Sequence, residues 1–297
     1  MEPGRGDDGW FVRTKINPGT WWMLASAASF SVMAASAKML TEIPALEKVF
    51  VRSLISIVLT LTALRAAKVS LRPKNPGKLA FRAFFGFLGL WFYFEAIDRI
   101  PLGTAVTVYN TTPLFAALVG ALVLGEKLRW VQALSLLVGL GGIGFIKGFS
   151  PEVSWVGICF GLGTAFFSAL AYSLVRVLTR TEHALIIVLA FPLLSLPMAA
   201  LLGYQDFVMP TTTGWGWLLL LGLATQGGQV CLTHGLRYHT ATRATQIGFV
   251  GVIFAMLLAI PIEGSLPTWV QVGGAALIFL SLSLGRGKSL GNSTQQA

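Results

Sequence analysis

The sequence is poor in charged residues and almost free of cysteine. Only 11% of its 297 residues are Asp, Glu, Lys or Arg, whereas a soluble domain carries roughly 25%. This charge is too scarce to cover a water-facing surface, and apolar residues make up 55% of the chain. Its two cysteines, Cys159 and Cys231, both lie in apolar stretches, which excludes a disulfide-stapled scaffold. These shortages predict an integral membrane protein.

Signatures of catalysis and of cofactor binding are missing as well. The sequence has no Walker-type phosphate loop, which argues against ATP as the direct energy source. Its three histidines, His183, His234 and His239, do not have the spacing of metal ligands, and no nucleophile–base constellation is visible. We therefore expect neither an enzyme nor a bound metal or cofactor.

The positive charge of the chain is distributed in a way that predicts its membrane orientation. Of the 22 Lys and Arg residues, 17 fall on one side of the membrane if the N-terminus lies inside, and 5 on the other. Basic residues concentrate on the cytoplasmic side of membrane proteins, so we expect both termini to be cytoplasmic. The basic residues flank apolar runs and form no patch on a folded domain, so we expect no nucleic-acid partner.

Apolar runs of about 20 residues, the length that crosses a ~30 Å hydrocarbon core, recur along the chain. They predict an all-α integral membrane protein with ten transmembrane helices, an even number that agrees with two cytoplasmic termini. Polar tails, 1–19 and 286–297, flank the helices. The orientation indicates the inner (plasma) membrane of a bacterium. The predicted spans are 20–40, 46–64, 79–97, 101–124, 130–147, 155–177, 183–203, 213–236, 241–262 and 268–285.

The chain contains an internal repeat. The tripeptide Trp-Val-Gln at 130–132 recurs at 269–271, and the distance along the chain between the two copies is called the repeat offset below. The same offset places the helix junction 96–105 on the junction 235–244. Five spans per repeat is an odd number, so the second repeat must enter the membrane upside down. Inverted repeats are typical of transporters that bind their substrate near the bilayer midplane. We predict two five-helix repeats, 20–147 and 148–285.

Several residues carry a resemblance to a known family. Arg52 in span two, the Ala-x-x-x-x-Pro-Leu-Gly-Thr-Ala turn at 96–105, Pro113 in span four and Leu-Gly-Glu-Lys-Leu at 124–128 resemble the drug/metabolite transporter superfamily, EamA type. Within it the chain is similar to bacterial aromatic amino-acid exporters of the YddG kind. The resemblance implies a central cavity lined by spans one, three, four, six, eight and nine, with spans five and ten at the periphery.

Polar and aromatic residues near the middle of the spans are candidate substrate ligands. Polar groups in hydrocarbon are costly and face a cavity or a partner. Amides and hydroxyls can bind the ammonium and carboxylate of a zwitterion, and aromatic rings can stack on its apolar part. We find no Lys or Arg at midplane depth, which disfavours polyphosphates. Each residue could instead pack between helices. The candidates are Phe30, Trp91, Tyr109, Asn110, Thr111, Phe166, Tyr172, Gln226, Gln229 and Gln246.

A second group of residues is predicted to act in gating. Our hypothesis is that Lys38 or Arg52 pairs with Glu95 or Asp98 near the outer ends of the spans, and separates in another state. The alternative is a solvated rim of charges. Pro113 is a candidate hinge, because a proline frees the carbonyl four residues earlier.

The function predicted from these features is secondary export of small organic solutes, most simply amino acids, aromatic and other neutral ones, by alternating access. The partners are then a small-molecule solute and the lipid bilayer, and the protein is expected to act as a monomer. One alternative is a multidrug or quaternary-cation extruder of the same superfamily. Another is a membrane protein or receptor that transports nothing.

Overall fold

The computed structural model describes residues 17–124, 130–150, 153–239 and 241–284, and their regular structure is helical throughout. The first six helices are α1 (Pro18–Lys38), α2 (Ala45–Ala66), α3 (Pro76–Arg99), α4 (Leu102–Tyr109), α5 (Thr112–Leu124) and α6 (Trp130–Phe149). The next six are α7 (Trp155–Leu178), α8 (Ala184–Gly203), α9 (Thr212–Tyr238), α10 (Ala241–Gly248), α11 (Val250–Glu263) and α12 (Trp269–Leu284). A single 3₁₀ turn, Tyr204–Asp206, follows α8.

Within the described part of the chain, six stretches of helix are long and apolar enough to cross a membrane. They are Ala45–Ala66, Pro76–Arg99, Leu102–Val119, Trp155–Leu178, Ala184–Asp206 and Gln246–Glu263, and two shorter apolar stretches are Leu137–Lys147 and Trp269–Ser281. The structure therefore confirms an all-helical protein with several membrane-spanning helices. The full set of ten spans stays a prediction.

Of the predicted spans that do not qualify, α6 and α12 hold the two shorter apolar stretches. The others are α1 and α9. Both are long, with 21 and 27 residues. Serine in α1, and glycine, threonine and glutamine in α9, lower their mean hydropathy. The two helices pack chiefly against each other inside the bundle, as α3 and α7 do. Helices surrounded by protein do not need the uniformly apolar surface that lipid demands.

The bundle has two ends, which we define by the course of α1. The tail end holds the start of α1 and the segment after α2, where the backbone N–H of Asn75 donates to Glu182 at 2.6 Å. The far end holds the end of α1, where the ammonium of Lys38 lies 3.6 Å from the carboxylate of Glu263. Polar residues start several helices, since Asn17, Ser154 and Thr211 each accept a hydrogen bond from a backbone N–H in the following turn.

The fourth and ninth predicted spans are each broken in the middle. The break between α4 and α5 falls at Asn110, and the break between α10 and α11 falls at Phe249, the position that the repeat offset assigns to it. Near the first break the hydroxyl of Thr112 donates to the carbonyl of Tyr109 at 2.5 Å, and the amide of Asn110 donates to Val106. The carbonyl that we expected Pro113 to free therefore has a partner within the chain.

The two halves correspond helix by helix at the repeat offset. Adding the repeat offset to the first and last residue numbers of α4 gives the first and last residue numbers of α10. The helices α6 and α12 both begin at the Trp-Val-Gln tripeptide. Packing corresponds as well, because α1 packs on α9 and α11 in the way that α7 packs on α3 and α5. This pattern is the one expected of two repeats. Their inversion across a membrane stays a prediction.

The helices α6 and α12 form a pair at the edge of the bundle, as the resemblance implied for spans five and ten. Their crossing is close because glycines face each other. A Cβ added at Gly142 would lie 3.1 Å from the backbone oxygen of Gly274, whereas one at Gly141 would meet nothing within 4 Å.

We expect Gly142→Leu to destabilise the protein by about 1–3 kcal/mol, because the added side chain would wedge α6 away from α12. Thermal unfolding of the purified protein in detergent measures the effect. Gly141→Leu, one residue away on an exposed face, is the control and should leave Tm nearly unchanged. Equal losses in both variants would mean that the glycine contact does not hold this pair.

Candidate functional site

Two adjoining cavities lie in the middle of the bundle, and we call them together the central chamber. The first lies between α1, α4, α7 and the α10–α11 break, and the second between α1, α3, α7, α8 and α9. Phe30, Tyr93, Tyr109 and Tyr172 line both. The cavities have volumes of about 40 and 50 Å³, enough for a few water molecules each. A larger solute therefore requires the helices around the chamber to move apart.

The boundary between the two cavities is a tyrosine cluster. The hydroxyls of Tyr109 and Tyr172 are hydrogen-bonded at 2.6 Å, and the rings of Tyr93 and Tyr109 lie 5.2 Å apart. Only one of the two bonded hydroxyls can donate to the other, which leaves one proton for a further acceptor. The cluster thus offers both aromatic surface and a hydrogen-bond donor in one place.

The second cavity has a cationic wall, which corrects our expectation of an uncharged chamber. Arg82 lines this cavity and its guanidinium Nη2 donates to the side-chain oxygen of Gln229 at 2.9 Å. Arg82 follows the first residue of α3 by six positions, which at 1.5 Å per residue places its Cα about 9 Å inside the helix. Its basic character predicts a place at the helix end, among the basic residues that flank the apolar runs. The apolar residues around it in Phe-Arg-Ala-Phe-Phe were the signal that could have corrected this.

Five of the ten candidate ligands line the chamber. Phe30, Tyr109 and Tyr172 contribute aromatic surface, Asn110 lies at the α4–α5 break, and Gln229 holds Arg82. Their role in binding a solute stays a prediction. Lining residues that were outside our list include Arg82, Phe191, Ser26, Ser31, Tyr93, Thr164 and Ser168.

The other two aromatic candidates lie outside the described lining of the chamber. Trp91 donates its indole N–H to Glu95 at 3.0 Å, one turn along α3. Phe166 packs against Phe115, with ring centroids 6.0 Å apart. Both are helix-packing residues in this structure, the alternative that the sequence left open.

The remaining polar candidates also lie outside the described lining. The hydroxyl of Thr111 is buried and donates to the carbonyl of Val108. Gln226 is buried and donates to the hydroxyl of Thr60 at 2.9 Å, joining α9 to α2. Gln246 lies half-buried on α10. The donors of Thr111 and Gln226 thus bond to the helix backbone and to a neighbouring helix, while the side-chain oxygen of Gln226 is buried without a partner.

The charged residues at the far end pair differently from the gating hypothesis. Lys48 is fully buried and lies 2.5 Å from the carboxylate of Asp98, while Glu95 pairs with Arg99 one turn away. Lys38 donates to the carbonyls of Ile97 and Ile100 at 2.9 Å and faces Glu263. In this structure neither Lys38 nor Arg52 pairs with Glu95 or Asp98.

These contacts nevertheless tie the two halves of the chain together at the far end. Glu263 in α11 accepts from the backbone N–H of Leu102 at 2.7 Å, and Glu47 in α2 accepts from Val208 at 2.9 Å. At the far end the two halves are therefore joined by the Lys38–Glu263 ion pair and by two backbone hydrogen bonds to carboxylates. Whether they open during transport stays a prediction.

Comparison with known proteins identifies similar chains. The sequence profile of the EamA-like transporter family matches residues 17–147 and again residues 155–285. A pseudopaline exporter of Pseudomonas aeruginosa is 33% identical over 277 residues, which cover 92% of this chain and 98% of that protein. A riboflavin transporter of Vibrio cholerae is 26% identical over 275 residues, covering 89% of this chain and 91% of that one.

More distant proteins share the fold or a transport function. An S-adenosylmethionine uptake transporter of Rickettsia prowazekii is 21% identical over 278 residues, 90% of this chain and 91% of that protein. A crystal structure matches with a TM-score of 0.66 at 20% identity and covers 90% of this chain and 96% of that one. The structural match supports the fold described above.

We expect Asp98→Asn to destabilise the protein by about 3–5 kcal/mol, because it leaves the buried ammonium of Lys48 without its carboxylate. The loss is measured as a lower Tm in detergent. Glu95→Gln is the matched control on the same helix. It should cost under about 1 kcal/mol, because the side chain of its partner Arg99 is 40% exposed. A Tm of Asp98→Asn as high as that of the control would contradict the assigned pairing.

Proposed function

Because this chain belongs to the EamA-like transporter family, we propose that it exports small organic solutes, most simply aromatic and other neutral amino acids, through the central chamber. Membership of the family directly supports the general function of the protein and its location. The protein is a transporter of small molecules and no enzyme, and it is a multi-pass protein of a bacterial inner membrane.

The chemistry of the chamber wall is the observation that carries the proposal. Aromatic rings from Phe30, Tyr109 and Tyr172 lie beside the amides of Asn110 and Gln229. A zwitterion with an apolar side chain can stack on the rings and hydrogen-bond to the amides and hydroxyls. The resemblance to aromatic amino-acid exporters supports the same class of solute.

The quaternary-cation extruder is the less favoured alternative. Among the described residues that line the chamber, none carries a carboxylate, and Arg82 contributes a positive charge. A cationic drug would be repelled by this wall, whereas a carboxylate would be attracted. The receptor alternative is disfavoured because the named relatives are described as transporters.

Alternating access is proposed as the mechanism, with no ATP-driven step. Two inverted five-helix repeats, with both termini in the cytoplasm, would surround the chamber and rock about it. The paired breaks at Asn110 and Phe249 support this, since discontinuous helices at corresponding positions of two repeats mark substrate sites in secondary transporters. The pairs that Lys38 forms with Glu263 and Lys48 forms with Asp98 at the far end are the proposed gate of one state. An exporter among the similar proteins supports the outward direction.

Counterflow in proteoliposomes tests the proposal. Vesicles containing the purified protein are loaded with unlabelled L-phenylalanine, and labelled L-phenylalanine is added outside; we expect saturable accumulation that empty vesicles lack. Counterflow of labelled tetraethylammonium without counterflow of phenylalanine or leucine would favour the cation extruder. Direction is measured in cells fed a phenylalanine-containing dipeptide, which should release more phenylalanine when they produce the protein.

We expect Phe30→Ala to raise the phenylalanine concentration at half-maximal counterflow by about tenfold. The physical reason is the loss of a stacking surface shared by both cavities, a change worth about 1.4 kcal/mol. Phe166→Ala is the control, because Phe166 packs against Phe115 outside the chamber lining. An equal effect of both changes would assign the role of Phe30 to packing instead.

A further inference from the structure

Two arginines are buried side by side next to the chamber, and they are the most unusual polar groups in the described structure. Arg52 and Arg82 are each 1% exposed. The guanidinium carbon of Arg52 lies 4.2 Å from the ring centre of Phe191, and that of Arg82 lies 4.5 Å from the same ring. Two positively charged side chains, one from α2 and one from α3, therefore lie over a single aromatic ring on α8.

Neither guanidinium has an acidic partner among the residues that the structure describes. The three ion pairs found there involve Lys38, Lys48 and Arg99. An arginine retains its charge inside proteins. Burying a charge without a counter-charge costs several kcal/mol, and two like charges on one ring repel each other as well. The ring of Phe191 offsets only part of this cost, since a cation–π contact is worth less than the desolvation of a charge costs, and a permanent structural role would leave the rest uncompensated.

The hydrogen-bonding capacity of the two guanidiniums is also largely unused. Arg82 uses Nη2 for Gln229, but its Nε and Nη1 are buried without a partner, as is the Nε of Arg52. The Nη2 of Arg52 is 3.3 Å from the hydroxyl of Ser53. A buried donor without a partner costs free energy, and a bound acceptor removes this cost.

Arg82 belongs to the wall of the second cavity, and its unbonded Nε and Nη1 are themselves buried, so a solute reaches them only when the helices around the chamber move apart. Arg82, Gly86 and Phe191 all line the second cavity. A Cβ at position 86 would come within 2.9 Å of the Nη1 of Arg82, so the glycine leaves the space that this group occupies. Phe30 and the tyrosine cluster line the same cavity and provide aromatic surface there.

We propose that Arg82, supported by the charge of Arg52, is the carboxylate-binding subsite of the transported solute. A guanidinium presents parallel N–H donors that match the two oxygens of a carboxylate. The solute class is then an organic acid or zwitterion whose carboxylate lies at Arg82 and whose apolar part lies among Phe30, Tyr109 and Tyr172. The inference deepens the proposed function and rests on it for the identity of the solute.

The positive charge of the subsite also explains how it would distinguish an acid from its amide. A neutral amide analogue lacks the charge that compensates the two guanidiniums, although its shape is nearly the same. Arg82→Lys would keep the charge but lose the paired donors, so it should retain part of the preference. Gln229 orients Arg82 through its side-chain oxygen and is a positioning residue.

The test measures binding of matched ligands to the purified protein by thermal stabilisation in detergent. L-phenylalanine and L-phenylalaninamide differ in the carboxylate, as benzoate and benzamide do. We expect the wild type to bind each acid about 10- to 100-fold more tightly than its amide, a range typical of a charge-assisted hydrogen bond in a buried site. Arg82→Gln should abolish the difference, mainly by weakening the acids.

Arg99→Gln is the matched control. Arg99 lies on the same helix and also over a phenylalanine ring, that of Phe160 at 5.0 Å, but outside the chamber. This variant should keep the preference for acids. If Arg82→Gln gives no monodisperse protein, Arg82→Lys replaces it in the test, and we expect that variant to show an intermediate preference for the acids.

The outcomes separate this inference from the proposed function. Phenylalanine counterflow with an acid preference that is the same in wild type, Arg82→Gln and Arg99→Gln would overturn the subsite and leave the function standing. Benzoate binding that depends on Arg82, without counterflow of any amino acid, would support the subsite and overturn amino acids as the solute. Loss of the preference in Arg99→Gln as well as in Arg82→Gln would also overturn the subsite.

Discussion

The satisfaction of polar groups without water is the constraint on which the rest of this structure depends. In a bilayer each buried donor, acceptor and charge must find its partner inside the protein or in a ligand. At the far end Lys48 meets Asp98, and at the α4–α5 break the hydroxyl of Thr112 meets the carbonyl of Tyr109. Several buried atoms among the described residues have no partner, and Arg82 is the exception that lines the chamber, because its Nε and Nη1 remain unbonded. A transporter needs such an exception, since a site with every group satisfied has nothing to offer a solute.

The arrangement of the helices determines where the chamber lies, and with it the position of the unbonded guanidinium of Arg82. The helices α1 and α9 are rich in small and polar residues and pack together in the interior, while α6 and α12 pack as a pair at the edge. Small residues permit the close approach of α6 to α12, and aromatic residues from α1, α4 and α7 fill the middle. The contracted chamber between them is surrounded by elements that correspond in the two halves of the chain. Such paired elements can exchange their packing with little change in total contact area, as alternating access requires.

Much of the fold followed from the sequence, whereas the site followed only in part. Hydropathy predicted the helices, and the repeated Trp-Val-Gln tripeptide defined the repeat offset at which the helix breaks also correspond. Depth along a helix placed Tyr109, Tyr172 and Gln229 correctly beside a cavity. It does not reveal that Gln226 bonds to Thr60, 166 residues away, or that Arg82 bonds to Gln229, 147 residues away.

The sequence by itself determined the class of the molecule: a helical, basic membrane protein with a repeated half and no site for ATP. These properties depend on composition and on local periodicity, which a reader of the chain can measure without knowing any contact. The tertiary structure decided which polar residues face the chamber and which face a neighbouring helix, because that choice depends on the rotation of each helix about its axis. A rotation of half a turn exchanges the two faces and leaves the hydropathy of the helix unchanged. Only packing against the other helices fixes it, and with it the two arginines that lie over Phe191.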